Sequence, residues 1–169
     1  MGSIILTSHL LPQVNAKALE VLADIIPLIP QSLEPVLGEL LPSLSLSLTS
    51  KNASIRQIAG DAATLLATMA EPNHVTRLLA STVKNASAAV QAALLPMFAE
   101  NVPAAYARNP RLLSRYVIPT AVAVLDNPKY RDSNGAIWQS LIDCLGPELF
   151  EDKALQKASV QKSVRALLA

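Results

Sequence analysis

Few residues in this chain have the character needed for catalysis or metal binding. His9, His74 and Cys144 are the candidates for a general base, a nucleophile or a soft metal ligand. The two histidines lie far apart in sequence, and neither has a Cys or an acid at metal-ligand spacing. Cys144 follows Leu141 and Ile142 at helical spacing, which reads as a small core residue. No glycine-rich phosphate loop and no Gly-x-Ser-x-Gly elbow occurs, and five glycines leave little room for tight functional turns. The expectation is a non-enzymatic protein with no cofactor and no metal site.

The charged residues say more. Lys17, then Lys51 with Arg56, then Lys84, then Lys129 with Arg131 recur near four successive polar turns. The same windows hold only Asp126 and Asp132 as acids, while Asp24, Glu34, Glu39, Glu71, Glu100, Asp143, Glu148, Glu151 and Asp152 fall elsewhere. A chain with 14 basic and 13 acidic side chains can therefore still present one basic edge, which would attract an acidic surface. That near-neutral total argues against nucleic acid as the ligand. Each residue also has a plain structural reading: a solvated lysine, a capping asparagine, or, for Arg56, a brace on the adjacent turn. Recurrence is what favours function.

Such an edge needs helices to carry it. Apolar residues make up 51% of the chain and aromatics only 4%, so the core must be aliphatic and helix-forming. Lys-Asn-Ala-Ser occurs at Lys51–Ser54 and again at Lys84–Ser87, each time between apolar runs of helical length. The pattern predicts four helical hairpins and a last helix. The first has a short helix over Ile4–Leu11, a turn at Pro12–Asn15, and a helix over Ala16–Ile26 whose inner face is Ala18, Leu19, Leu22, Ile25 and Ile26. The second runs over Ser32–Leu48, with a stripe of Leu33, Leu37, Leu40, Leu41, Leu44 and Leu48. Pro35 falls in its first turn and Pro42 should kink it. Its partner helix follows the Thr49–Asn52 turn, with Ile55, Ile58, Ala62, Leu65, Leu66 and Met69 inward. The alternation at Ser43–Leu48 is strand-like, but the leucine stripe enters it in phase, so helix is kept.

The third hairpin is expected over Asn73–Val83, with Asn73 as N-cap, and Ala86–Glu100. An irregular connection spans Asn101–Pro110. The fourth covers Arg111–Leu125, with Pro119 placed like Pro42, and Ser133–Leu145, ended by Gly146-Pro147. A helix over Lys153–Leu168 should cover the last hairpin. Trp138 reads as a core anchor beside Ile137 and Leu141. Lys153, Lys157, Lys162 and Arg165 read as a solvated face. Asn15, Asn52, Asn85 and Asn127 sit 37, 33 and 42 residues apart, near the period of HEAT or armadillo repeats. The expected fold is thus an all-α helical-hairpin solenoid, one domain over residues 1–169 that could be a piece of a longer array.

No signal peptide, myristoylation pattern or membrane-length apolar run is read, so the expectation is a cytoplasmic protein without membrane contact. Asn52-Ala-Ser54 and Asn85-Ala-Ser87 fit the glycosylation pattern, but capping explains both. One cysteine allows no internal disulfide.

The stretch Val14-Asn15-Ala16-Lys17-Ala18-Leu19-Glu20-Val21-Leu22, then Ile25-Ile26-Pro27, Leu37 through Leu48 and Ser50-Lys51-Asn52, resembles the HEAT repeats of TOG domains, nearest the crescerin group of axonemal microtubule regulators. The resemblance is best over residues 14–70 and weaker through Gly146. It implies binding of tubulin or the microtubule lattice through the intra-repeat turns, at the cytoskeleton of a cilium or flagellum; separately, a monomer is expected. The implied tubulin-binding residues are Asn15, Lys17, Lys51, Asn52, Arg56, Lys84, Asn85, Lys129 and Arg131. Two features depart from the family pattern: about four hairpins stand where six are usual, and the Pro12–Asn15 turn lacks an aromatic side chain. The alternative is a HEAT-type scaffold for a non-tubulin partner.

Overall fold

The computed structural model describes residues 12–125 and 131–168. Among these residues every regular element is helical and no strand occurs. The expected helix over Ile4–Leu11, His9, Asn127 and Lys129 lie outside the described residues. The chain forms two compact units, divided between Glu71 and Pro72.

In the first unit, α1 (Pro12–Ile25) and α2 (Glu34–Ser47) both pack against α3 (Ala53–Met69). Two 3₁₀ turns, Ile26–Leu28 and Pro30–Ser32, join α1 to α2. They form where Pro27 and Pro30 deny the backbone an α-helical donor. The inner face of α3 is Ile55, Ala59, Ala62, Ala63 and Leu66, all buried. Three alanines there let neighbouring helices come close. Leu33, Leu37, Leu41 and Leu44 bury fully or nearly so, and Leu40 and Leu48 are half-buried. The helical reading of Ser43–Leu48 holds through Ser47, with Leu44 inside and Leu46 67% exposed. The α-helix continues through Pro42.

Three local expectations for this unit need correction. Pro12–Asn15 is the first turn of α1, not a turn between helices. Proline is well tolerated there because the first N–H groups of a helix have no intrahelical acceptor. The apolar face read on α1 divides: Leu19 and Ile26 are fully buried, while Ile25 is 41% exposed and Ala18 half-buried. Met69, expected inside, is 41% exposed at the end of α3.

The second unit is built around α5 (Ala88–Arg108), which packs against α4 (Pro72–Asn85) and α7 (Arg131–Leu145). A π-helical segment, Leu113–Val117, leads into α6 (Ile118–Val124), and α8 (Ala158–Leu168) packs on α7 as expected. The irregular connection expected at Asn101–Pro110 is instead the last two turns of α5, which runs through Pro96 and Pro103. Both prolines are exposed, so their rings lie on the solvent side of the helix. Pro119 differs from Pro42: the wider π turn just before it absorbs the missing N–H. Thr120 Oγ1 donates to the Tyr116 carbonyl oxygen at 2.7 Å. Gly146 ends α7 with φ +58°, the left-handed cap that glycine supplies. The single helix expected over Lys153–Leu168 is broken. Asp152 caps a 3₁₀ turn at Lys153–Leu155 by accepting from Ala154 N at 2.9 Å, and α8 starts only at Ala158.

The core of this unit is aliphatic, with Phe98 and Trp138 as its largest fully buried side chains. It also holds a polar link that sequence reading missed. Asn101 Nδ2 donates to Thr76 Oγ1 at 2.7 Å, and Thr76 Oγ1 donates to the Pro72 carbonyl oxygen at 2.7 Å. Thr76 and Asn101 are both buried, so this pair ties α5 to the start of α4 in a dry setting. Asn73, expected as the N-cap, lies inside α4 with its Oδ1 buried and without a partner among the described residues. Removing Asn101 would strip the buried Thr76 oxygen of its donor. Asn101→Ala should lower unfolding free energy by about 1–3 kcal/mol, measured by urea titration with Trp138, the one tryptophan, as the probe.

Candidate functional site

The best-defined turn is residues 48–52, between α2 and α3. Leu48 N donates to the Leu44 carbonyl oxygen, Thr49 N to that of Leu46, and Ser50 N to that of Ser47, so the end of α2 tightens before the chain reverses. Asn52 then has extended backbone (φ −80°, ψ 120°), and its Oδ1 accepts from Ser54 N at 2.9 Å. It is the N-cap of α3. Arg56 Nη1 donates to the carbonyl oxygens of Ser50 (2.7 Å) and Lys51 (3.2 Å). The guanidinium therefore clamps the turn from the first turn of α3 and is committed to holding its shape. Lys51 is exposed at this turn, with no acidic partner among the described residues.

The second copy of the tetrapeptide is built differently. Lys84 and Asn85 are the last two residues of α4, and Asn85 Nδ2 donates back to the Ser81 carbonyl oxygen at 2.9 Å. Ser87 takes the N-cap position of α5, without a side-chain capping bond. Gln91 Nε2 reaches across to the Val83 carbonyl oxygen at 2.8 Å. Lys84 is exposed in the last turn of α4, where a cation also complements the negative end of the helix.

The remaining candidates separate from these. Asn15 and Lys17 lie on α1 and not in a turn. Asn15 is half-buried, with its Oδ1 buried and unpartnered among the described residues. Lys17 Nζ pairs with Glu20 Oε2 at 2.9 Å. Hydrogen bonding to Glu20, then its charge, holds the Lys17 ammonium above its ordinary pKa. Arg131 is the first residue of α7. Of the lysines in the repeated tetrapeptide, Lys51 is thus exposed at a helix-to-helix turn of the first unit and Lys84 at one of the second.

Among the described residues no cluster of three His, Cys, Asp or Glu could hold a metal, and no helix is long and apolar enough to cross a membrane. Cys144 is half-buried, not the core residue expected. Burial, and then the neighbouring Asp143 carboxylate, pushes its thiol pKa up, which disfavours the reactive thiolate. Trp138 fills the anchoring role expected of it, fully buried beside Ile137 and Leu141.

Two predictions follow from these contrasts. Asn52→Ala removes a cap and should cost about 1 kcal/mol, whereas Asn85→Ala should cost only a few tenths, a difference readable in paired urea titrations. Cys144 should alkylate more slowly at pH 8 than a free cysteine peptide. Asp143→Asn should recover only part of the rate, because burial is the larger cause. In comparisons with known proteins, the chain matches no protein-family model and no curated protein.

Proposed function

We propose that the chain is a non-enzymatic, helical-repeat binding module of HEAT type whose helix-to-helix turns engage an acidic protein surface, with tubulin or the microtubule lattice as the partner. The observation that carries this reading is that Lys51 and Lys84 are exposed at such turns without an acidic partner among the described residues. A free ammonium on a turn gains more from an incoming carboxylate than one already paired. Asn52 and Arg56 support the reading by fixing the first turn, so that little ordering cost falls on binding. The all-helical build and short inter-helix turns support the solenoid. The TOG-like stretch over residues 14–70 supports the choice of tubulin, and with it a cytoskeletal setting in a cilium or flagellum. Lys129 and Arg131 are proposed as further contacts on the sequence pattern alone.

Co-sedimentation with microtubules tests it. Binding should be present at low salt, weaker at moderate salt, and reduced about tenfold by Lys51→Glu with Lys84→Glu, since reversing two rim charges alters encounter and salt dependence. Pelleting unchanged by the double reversal would defeat the tubulin assignment and favour a scaffold for a non-tubulin partner.

A further inference from the structure

The first unit buries only one side of its first helix. On α1, Val14, Val21 and Ile25 are 48%, 45% and 41% exposed. With half-buried Ala18 they stand four, three and four residues apart, the spacing of a heptad seam. A shallow, open hollow of about 470 Å³ lies over the Val14–Val21 part of this stripe, lined by Gln13, Val14, Lys17, Ala18 and Val21. The unit's own core is served by the adjacent stripe, which holds fully buried Leu19 and Ile26. Scattered exposed apolar residues are ordinary, but an in-register stripe along one helix marks a packing surface.

The polar flank of the stripe identifies what packs there. If Val14, Ala18, Val21 and Ile25 are the seam positions d, a, d and a, then Lys17 and Asp24 both fall at position g. In an antiparallel helix pair, g faces g of the other helix. A second α1 laid antiparallel about an axis near Val21 brings each Lys17 against Asp24 of the second copy, twice by symmetry. A parallel arrangement would set g against e, where Asn15 and Leu22 carry no charge. Ala18 beside the axis lets the two backbones approach. An anionic membrane fits poorly, since the same helix carries Glu20 and Asp24 against one lysine.

We propose that a second copy of this chain docks on the Val14–Ile25 stripe of α1, antiparallel, in a register fixed by Lys17–Asp24 pairs. This replaces the monomer expected from sequence and is independent of the tubulin reading. One 14-residue helix against another is a small interface, so the dimer dissociates in the micromolar range.

Sedimentation equilibrium of the intact chain, from micromolar to several hundred micromolar, tests the proposal. The apparent mass should rise from 18.0 kDa toward twice that value. Val21→Asp at the axis should abolish the rise. Lys17→Asp sets like charges opposite each other and should weaken dimerisation about fivefold or more. Lys17→Asp combined with Asp24→Lys should restore it, an outcome that loss of the Lys17–Glu20 pair alone would not produce. Trp138 emission and circular dichroism check that each variant is folded. A mass of 18.0 kDa at every concentration would overturn the proposal, leaving residues 1–11 or another protein to cover the stripe. So would a dimer indifferent to Lys17→Asp, or one that the double variant fails to restore.

Discussion

Burial of aliphatic side chains against a shared helix is the interaction on which each unit depends. No helix here is stable alone: most are 7 to 17 residues, and the 21-residue α5 carries two prolines. In the first unit α3 is the shared surface. Its Ala59, Ala62 and Ala63 give up side-chain bulk, and the leucines of α2 together with Leu19 and Ile26 of the α1 side supply the apolar volume. In the second, α5 fills that place. Its Leu94, Phe98, Val102 and Ala105 recur at helical spacing and are fully or almost fully buried, with Asn101 alongside them. The turns that carry Lys51 and Lys84 are held where they are by these contacts, and by the hydrogen bonds at the ends of the helices they join.

The two copies of Lys-Asn-Ala-Ser show how little a tetrapeptide decides. At Lys51–Ser54 the asparagine caps α3. At Lys84–Ser87 the helix boundary falls later, and the serine takes the cap position. The reason lies in the flanks. Leu48 is the end of a leucine stripe, and Thr49 and Ser50 are poor continuations. Before Lys84, by contrast, Leu79, Ala80 and Val83 bury against the rest of the unit and carry the helix through Asn85. Packing moved the boundary, and local chemistry followed it. Arg56 is a related case. Its charge and position suit a ligand contact equally well, and only the two carbonyl oxygens at its Nη1 reveal a brace.

Proline was legible as chemistry but not as outcome. Pro35 in a first turn and the stop at Pro27 and Pro30 agree with simple rules. Pro42, Pro96 and Pro103 sit inside helices that continue, and Pro119 follows a π turn. A proline forfeits one hydrogen bond and crowds the preceding turn, and burial of neighbours such as Leu41, Leu95, Val102 and Ile118 can offset that. Whether it does depends on contacts far away in sequence.

Composition and periodicity by themselves determined the helical class, the leucine stripe of α2, the cap at Asn52, the left-handed glycine that ends α7 and the core place of Trp138. Each is fixed within a few turns of chain, by side-chain volume, capping geometry or backbone freedom. Tertiary structure decided which of two adjacent apolar stripes on α1 is buried, that Asn101 and Thr76 meet, that Asn73 is not a cap, and that Lys51 has no acidic partner among the described residues while Arg56 and Lys17 are engaged. Those are questions of which surface meets which, and apolar spacing along one helix does not specify the partner that will cover it.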